Sequence, residues 1–527
     1  MIYGKTSYGL AVLSGILLLL SFPPFNLGAF LAWFALIPLL IAVYNETEVK
    51  RIGRLILVTG FCLTPIFVWL YNEVDAFLSS LIAWPLGIIG AMFIGEFIVG
   101  HIESYWKPKK LPRGGLSYLP ASLQVFLIPI VGTAIEFLIM NLPVVMKIGG
   151  AFGFFSISRT QWLNTPILQL ASFTGMYGVT FLILLVNCAI AYAVSHYKET
   201  RQLAKQSALI LLMFGIISVY GLVSIPGLAI GDTNVVIIQA KPDVMETKYV
   251  NELYANLSEY SLKYQPEIIL WPIWINYEVP EQPVGPLARQ CANFSKEQNL
   301  YLVDAEGVVS PDGKIECYDA PYLFPHVLDG FIPFDLNKIL PRIHGFDTRS
   351  GKIGILDCME SASTIPANQL IEDGARFIVV TSADRPVIGA FQGLIGGNVV
   401  YRAVEHRVYS ALFFGSGGSI IVDPYGRIIE DTALEEEIVA GKISFTNERT
   451  FYTDYGDVFG WTVVGLAFVL VGYNFYLKTK SSFMYCGQCK AQIAKDVEIC
   501  PECGRKPKES RWEKSDIGKL WKFLSKK

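Results

Sequence analysis

Long apolar segments dominate the first half of this 527-residue chain and recur once near its end. A helix needs about 20 predominantly apolar residues to cross a bilayer. Segments of roughly this kind lie at about 8–22, 27–45, 55–72, 77–100, 119–142, 176–195, 205–225 and 458–477. The composition, with 52% hydrophobic and only 17% charged residues, agrees with a membrane protein. The sequence therefore predicts a polytopic α-helical membrane domain of about eight spans, seven of them within residues 1–230.

The distribution of basic residues predicts how these spans are oriented. Lysine and arginine cluster in the connections at 50–54, 107–113 and 198–205, whereas the 72–75 turn is acidic. Because Lys and Arg are enriched in cytoplasmic loops, the basic connections are expected inside and the long 143–175 connection outside. We therefore expect a multi-pass protein of the cell membrane with both termini in the cytoplasm.

Residues 233–445 interrupt the apolar pattern and read as a folded α/β domain. Short apolar runs such as 234–239, 268–271 and 352–356 alternate with helical stretches. Such alternation is typical of a layered α/β core. Since the domain lies between the seventh and eighth spans, the predicted topology places it outside the cytoplasm.

Four cysteines near the end of the chain form two C-x-x-C pairs. They are Cys486, Cys489, Cys500 and Cys503. Each pair supplies two thiolates for tetrahedral Zn²⁺, so the spacing predicts a structural zinc ribbon over 483–508. On the cytoplasmic side its thiols stay reduced. We expect the ribbon to bind a cytoplasmic protein partner; nucleic acid is the less supported alternative.

The last segment, 511–527, predicts a basic amphipathic helix. Apolar residues recur at helical spacing, with lysines on the other side. Such a helix lies on the anionic inner leaflet or packs on the ribbon, and the sequence leaves both readings open.

Several motifs follow one another in a specific order. They are Ser21 to Phe25, Pro166 to Gly178, Asn187, Leu270 to Pro272, Pro311 to Lys314, Tyr318-Asp319 with Leu323 and Pro325, Gly354 to Glu360, and Asp423 to Arg427. In these motifs the chain resembles the apolipoprotein N-acyltransferase family, the membrane branch of the carbon–nitrogen hydrolase (nitrilase) superfamily. The resemblance implies a nitrilase-like αββα sandwich without a cofactor. It also implies transfer of a phospholipid acyl chain, through a cysteine thioester, to the amino terminus of a lipoprotein.

The resemblance assigns the reacting groups residue by residue. Cys358 falls on the nucleophile and Glu360 on the carboxylate two positions later. The general base falls on Ile273, where the family has Glu, and the oxyanion lysine falls on Ala320. A thiol nucleophile needs both a proton acceptor and a group that stabilises the oxyanion, and neither Ile nor Ala supplies one. The candidate substitutes are Glu278, His326, Arg342 and His344.

Three functions follow from this pattern. The favoured one is a catalytically impaired or repurposed scaffold that binds membrane lipid and a lipoprotein or another membrane protein. The second is an active N-acyltransferase that uses Cys358 with relocated helper residues. The third, an amidase-like hydrolase, is disfavoured because eight spans imply a membrane-embedded substrate. The sequence leaves open whether the protein is an enzyme.

Overall fold

The structure is a computed structural model of the 527-residue chain. It describes residues 5–23, 29–46, 49–61, 121–141, 156–195, 201–228, 231–239, 250–271, 286–304, 307–318, 343–358, 360–382, 390–414, 418–431, 438–480, 483–485 and 492–494. The chain divides into two compact units, one formed by 1–116 with 121–467 and the other by 117–120 with 468–527.

The described residues form two groups of helices, apolar helices and helices of the α/β domain. In chain order they are α1 (Lys5–Ser21), α2 (Ile37–Tyr44), α3 (Val49–Phe61), α4 (Ala121–Asn141), α5 (Thr165–Leu168), α6 (Ala171–Thr174), α7 (Met176–Ser195), α8 (Arg201–Ser224), α9 (Val250–Ser261), α10 (Pro286–Gln298), α11 (Thr364–Glu372), α12 (Ala390–His406), α13 (Phe451–Tyr455) and α14 (Val458–Lys480). Within α4 and α7, Leu123–Asn141 and Met176–Ser195 are long and apolar enough to cross a membrane, by length and composition alone.

The second predicted span, 27–45, is wrong as a single helix. A 3-10 turn at Leu31–Trp33 precedes α2, which has only eight residues and Pro38 in its first turn. The Asn187 side chain of α7 explains how the apolar interior tolerates this break. Its amide donates to the Ala32 carbonyl (2.9 Å) and its oxygen accepts from the Leu36 N–H (2.9 Å). Irregular backbone is tolerated in such surroundings when other groups of the protein satisfy it.

Of the other predicted spans, the 77–100 segment and the greater part of 55–72 lie outside the described residues. Five predicted spans coincide with helices to within a few residues: 8–22 with α1, 119–142 with α4, 176–195 with α7, 205–225 with α8 and 458–477 with α14.

The α/β domain contains two six-stranded sheets. Its strands are β1 (Thr233–Ile238), β2 (Ile268–Leu270), β3 (Tyr301–Val303), β4 (Gly307–Val309), β5 (Ile315–Cys317), β6 (Phe346–Asp347), β7 (Lys352–Asp357), β8 (Ala375–Ser382), β9 (Tyr409–Phe414), β10 (Ile420–Val422), β11 (Ile428–Asp431) and β12 (Ile438–Ile443). The strand orders are β12-β1-β2-β3-β4-β5 and β11-β10-β9-β8-β7-β6. In each sheet three neighbouring strands run parallel: β1, β2 and β3 in the first, and β7, β8 and β9 in the second.

Burial on both faces of the parallel strands explains their apolar sequences. In β1, Val236 and Ile238 pack in a cluster with Leu257 of α9 and Cys291 of α10, while Val235 on the opposite face is buried as well. The second sheet carries α11 and α12, which contact β7, β8 and β9. Parallel strands covered on both faces read as continuous apolar runs, which is why the sequence pattern located them.

The second compact unit contains a short antiparallel hairpin. Its strands are β13 (Phe483–Tyr485) and β14 (Gln492–Ala494), with Phe483 opposite Ala494. The four cysteines of the predicted zinc ribbon and the predicted helix at 511–527 lie outside the described residues.

Candidate active site at the carboxyl end of strand β7

Strand β7 carries Cys358 to the edge of its sheet. The strand runs parallel to β8 and ends at Asp357, so that Cys358 is the first residue beyond it. Helix α11 lies close against the strand, because a Cβ atom at Gly354 would come within 2.8 Å of Leu370 Cδ1. The Cys358 side chain is only 9% exposed. The described residues therefore cover most of Cys358.

Hydrogen bonds fix the turn that follows the cysteine. The Ser361 hydroxyl donates to the Cys358 carbonyl oxygen (2.6 Å), and the Asn398 amide of α12 donates to the Ser361 hydroxyl (3.0 Å). At the end of the neighbouring strand β8, the Ser382 hydroxyl donates to Cys358 Sγ (3.5 Å). Asn398 and Ser382 are site residues that the sequence analysis missed. The available signal for Ser382 was its place as a polar residue at the carboxyl end of an apolar run, 377–381.

Glu360 is buried and joins two of the motifs found in the sequence. Its Oε2 accepts the Tyr318 hydroxyl (2.5 Å) and the Asp357 N–H (2.8 Å). Tyr318 and the Cys358 turn therefore meet at this carboxylate. With these donors the Glu360 carboxylate closes the turn beyond β7, which is a positioning role.

Asp357, which the sequence analysis passed over, is a second carboxyl group at this strand end. Burial raises its pKa to about 7, and the neighbouring Glu360 carboxylate adds to this effect, whereas a hydrogen bond from the Cys358 N–H acts in the opposite direction. The Asp357 carboxyl can therefore exchange a proton near neutral pH.

Most of the residues predicted to occupy or to replace the positions of the base and the cation lie outside the described residues. These are Ile273 and Ala320 at the two positions themselves, and the candidate substitutes Glu278, His326 and Arg342.

His344 is described, and its Nδ1 contacts Asp373 Oδ1 (3.3 Å). The same Asp373 carboxylate accepts from Lys352 Nζ (3.0 Å) at the start of β7. Since a strand rises about 3.3 Å per residue, His344 faces the strand end remote from Cys358. The prediction that His344 assists the thiol is therefore wrong.

A buried polar network links the nucleophile turn to the apolar helices. Thr364, in the first turn of α11, contacts Asn141 Oδ1 of α4 (2.9 Å) and Asp457 Oδ2 (2.6 Å). Asn141 also donates to the Tyr177 hydroxyl of α7 (2.6 Å), and Asp457 accepts from Tyr452 (2.7 Å). Burial raises the pKa of Asp457, whereas the hydrogen bonds that it accepts from Thr364 and Tyr452 act in the opposite direction.

A buried ion pair adds a second link. Arg402 and Glu405 of α12 have fully buried side chains and lie 2.9 Å apart. Glu405 Oε1 accepts the Met176 N–H at the start of α7 (2.8 Å), while Arg402 reaches the Ser363 carbonyl (3.4 Å). Helix α12 therefore bridges the turn beyond β7 and the amino-terminal end of an apolar helix.

The fold and the site define a two-sheet α/β protein that presents a cysteine at the end of a buried parallel strand and is joined to apolar helices. A family model described as the apolipoprotein N-acyltransferase N-terminal domain matches residues 14–189. The apolipoprotein N-acyltransferase of Geobacter metallireducens is 26% identical over 90% of this chain and 96% of its own length. That of Thermotoga maritima is 26% identical over 89% and 94%.

Among solved structures, an amidase from Nesterenkonia sp. aligns with 43% of this chain and 94% of its own, with 14% identity and a TM-score of 0.34. The sequence comparisons extend over most of the chain. The protein is thus similar to apolipoprotein N-acyltransferases, and the resemblance predicted from its sequence is confirmed.

Proposed function

We propose that this chain is a membrane-embedded relative of the apolipoprotein N-acyltransferases that binds a phospholipid acyl chain and a lipoprotein amino terminus beside Cys358, with acyl transfer strongly slowed. The observation that carries the proposal is the intact turn beyond β7. Hydrogen bonds hold Cys358, Glu360 and Ser361 in this turn. The chain nevertheless carries Ile273 and Ala320 at the positions that the resemblance assigns to the base and the lysine.

The two apolar replacements account for the slow chemistry. Loss of a single preorganised oxyanion donor raises a barrier by about 3–4 kcal/mol. Groups that act as one unit are strongly non-additive, so that loss of two of them leaves little beyond background catalysis. A cavity that holds the acyl chain and the peptide would still bind both after the loss of these two catalytic groups.

An active acyltransferase is the second candidate, and one observation favours it. The carboxyl groups of Asp357 and Glu360 and the Ser382 hydroxyl all lie at the strand end that carries the thiol. In this account the Cys358 sulfur attacks a phospholipid ester, and the acyl group becomes a thioester while the lysophospholipid alcohol leaves with the proton. The lipoprotein amine then attacks the thioester, which forms an amide and restores the thiol.

Intact mass of the purified full chain after incubation with phospholipid separates these candidates. The scaffold proposal predicts no acyl adduct on the natural protein. An adduct that forms in the natural chain and in Cys317→Ser, which removes an exposed cysteine, but not in Cys358→Ser would establish the active enzyme instead.

The membrane topology is part of the proposal. It is supported by the two long apolar helices and by the basic connections. A cysteine introduced at Lys314, an exposed turn residue, in a Cys317→Ser background should react with an impermeant reagent in whole cells. Labelling that requires permeabilisation would place the α/β domain inside and overturn the orientation.

The zinc ribbon is likewise proposed, as a module that recruits a cytoplasmic protein. The β13–β14 hairpin supports it, because Cys486 follows Tyr485 directly and the first C-x-x-C lies in the hairpin connection. Metal analysis of the full chain should give about one zinc per protein. The double variant Cys486→Ser/Cys489→Ser should lose the metal, whereas the control Cys317→Ser should retain it.

A further inference from the structure

Four exposed aromatic side chains form one continuous surface, which we call the aromatic patch. They are Phe173 of α6, Tyr220 of α8, and Phe451 and Tyr455 of α13, with exposed fractions between 43% and 61%. Ring centroids are 5.8 Å apart for Phe173 and Tyr220, 6.4 Å for Phe173 and Phe451, and 4.5 Å for Phe451 and Tyr455. Solvent-facing aromatic groups of this number need a partner.

The patch is held in place from behind. Phe451 and Tyr455 are four residues apart on α13 and share its outer face, while Tyr452 between them is fully buried. Gly175, with φ +64°, lies so close that a Cβ atom there would come within 2.7 Å of the Tyr452 ring. Helix α13 is thus fixed by Tyr452, and the outward aromatic residues contribute little to that packing.

Two kinds of surface meet at the patch. On one side the exposed residues of α8 are apolar, among them Leu212, Ile216 and Val219, and α13 leads into the apolar α14. Next to Phe451 and Tyr455 in the chain lies an exposed ion pair between Arg449 and Asp454 (2.6 Å). Aromatic side chains are enriched where apolar and aqueous surroundings meet in a bilayer.

We infer that the aromatic patch is an interfacial anchor that contacts the phospholipid headgroup layer on the side of the α/β domain. The inference rests on the proposed membrane embedding of α8 and α14. Its partner is lipid rather than protein because the patch continues the apolar surface of α8 without a break. The balanced Arg449–Asp454 pair beside it suits a zwitterionic headgroup.

The anchor also sets the level of the candidate site. Tyr452 on the inner face of α13 donates to Asp457, which contacts Thr364 at the start of α11. That helix begins directly after the turn that holds Cys358 and Ser361. Anchoring α13 among the headgroups therefore keeps the thiol near the depth at which phospholipid ester bonds lie.

Photocrosslinking of the full chain in phosphatidylcholine nanodiscs tests this inference. Each of Tyr455→p-benzoylphenylalanine and Phe451→p-benzoylphenylalanine should give a lipid adduct. The matched control is the same replacement at Tyr260 of α9, whose exposure of 61% equals that of Tyr455. The reference for the hydrocarbon core is Leu212 of α8, which is 59% exposed.

The expected result is at least about tenfold more lipid adduct at Tyr455 and Phe451 than at Tyr260, with attachment near the glycerol region rather than the chain ends found at Leu212. Lipid adducts at Leu212 with none above the Tyr260 level at either patch position would overturn the anchor and leave the membrane proposal standing. Protein adducts at the patch positions would identify a docking surface for protein instead. Absence of lipid adducts at Leu212 would end both proposals.

Discussion

The ends of two buried parallel strands, β2 and β7, differ sharply in chemistry. Beyond β7 the chain presents Cys358 and Glu360 beside Asp357 and Ser382, all within a connected set of hydrogen bonds. Beyond β2 comes Trp271, buried in the apolar cluster of the first sheet, and the sequence continues with Pro272 and Ile273. The half of the site that holds the nucleophile is intact, whereas the half that the resemblance assigns to the base is apolar.

The largest expected effect comes from restoring the two missing reacting groups of the site. The double variant Ile273→Glu/Ala320→Lys restores the carboxylate and the cation together. It should form the acyl adduct at Cys358 at least about 10²-fold faster than either single variant, within a time over which the natural chain forms none. Each single variant should stay unmodified over that time, because the groups act together. Intact mass against time gives the rates, and a double variant no faster than the singles would contradict the assignment.

The next effect is the pH dependence that the Asp357 carboxyl contributes at the end of β7. The Asp357 pKa is raised from 3.8 to about 7 in the folded chain, so the folded state holds a proton that the unfolded state has lost. Stability therefore falls as pH rises from about 4 to 7. Asp357→Asn should remove the part of this fall that Asp357 contributes and be more stable than the natural chain at pH 8, by roughly 2–4 kcal/mol. Thermal unfolding at pH 4 and pH 8 measures it.

Asp347→Asn serves as the matched control for that experiment, because the Asp347 side chain is 86% exposed on β6. It should show no such change. An equal shift in the control, or no shift in Asp357→Asn, would mean that Asp357 is ionised without penalty.

A smaller effect, on the free energy of unfolding, should follow from weakening the hydrogen bonds that Glu360 accepts in the turn beyond β7. Glu360→Gln replaces a carboxylate that accepts from Tyr318 and Asp357. The loss of charge-assisted hydrogen bonds should lower the free energy of unfolding by about 1–3 kcal/mol, and Tyr318→Phe by about 1 kcal/mol. Since the two side chains share one hydrogen bond, the double variant should be less destabilised than the sum of the singles. Strict additivity in denaturant unfolding would argue against their contact.

The smallest effect concerns Ser382 and the thiol. Removing the hydroxyl in Ser382→Ala should slow alkylation of Cys358 by about two- to fivefold, because a hydrogen bond to sulfur contributes about 0.5–1 kcal/mol. The rate is read from the mass of the Cys358 peptide after timed treatment with iodoacetamide. Ser410→Ala on β9, which is also buried, should leave the rate unchanged. A rate in Ser382→Ala equal to that of the control would remove Ser382 from the site.

The apolar pattern of the sequence located the parallel strands because both faces of each are covered, and the motif around Cys358 located the nucleophile at the end of one of them. The break between Trp33 and Ile37 could not be foreseen, because its backbone groups bind Asn187, more than 150 residues away. The same limit applies to Asp357 and Asn398. Their roles arise from contacts across elements, and local pattern carries no information about those contacts.

His344 illustrates the opposite error. Its place in the sequence, between the Tyr318 motif and β7, made it a candidate helper, yet its contact with Asp373 ties it to the amino-terminal side of the strand. Nearness along the chain did not give nearness to the thiol, because a strand separates its two ends by its whole length.

The central proposal is that the site around Cys358 binds phospholipid while acyl transfer is strongly slowed. The most direct measurement is the intact mass of the natural full chain after prolonged incubation with phospholipid, beside Cys358→Ser under the same conditions. The account predicts that both proteins keep their unmodified mass while phospholipid binding is retained by both. A natural chain that gains the mass of one acyl group, lost on hydroxylamine treatment and absent in Cys358→Ser, would contradict it.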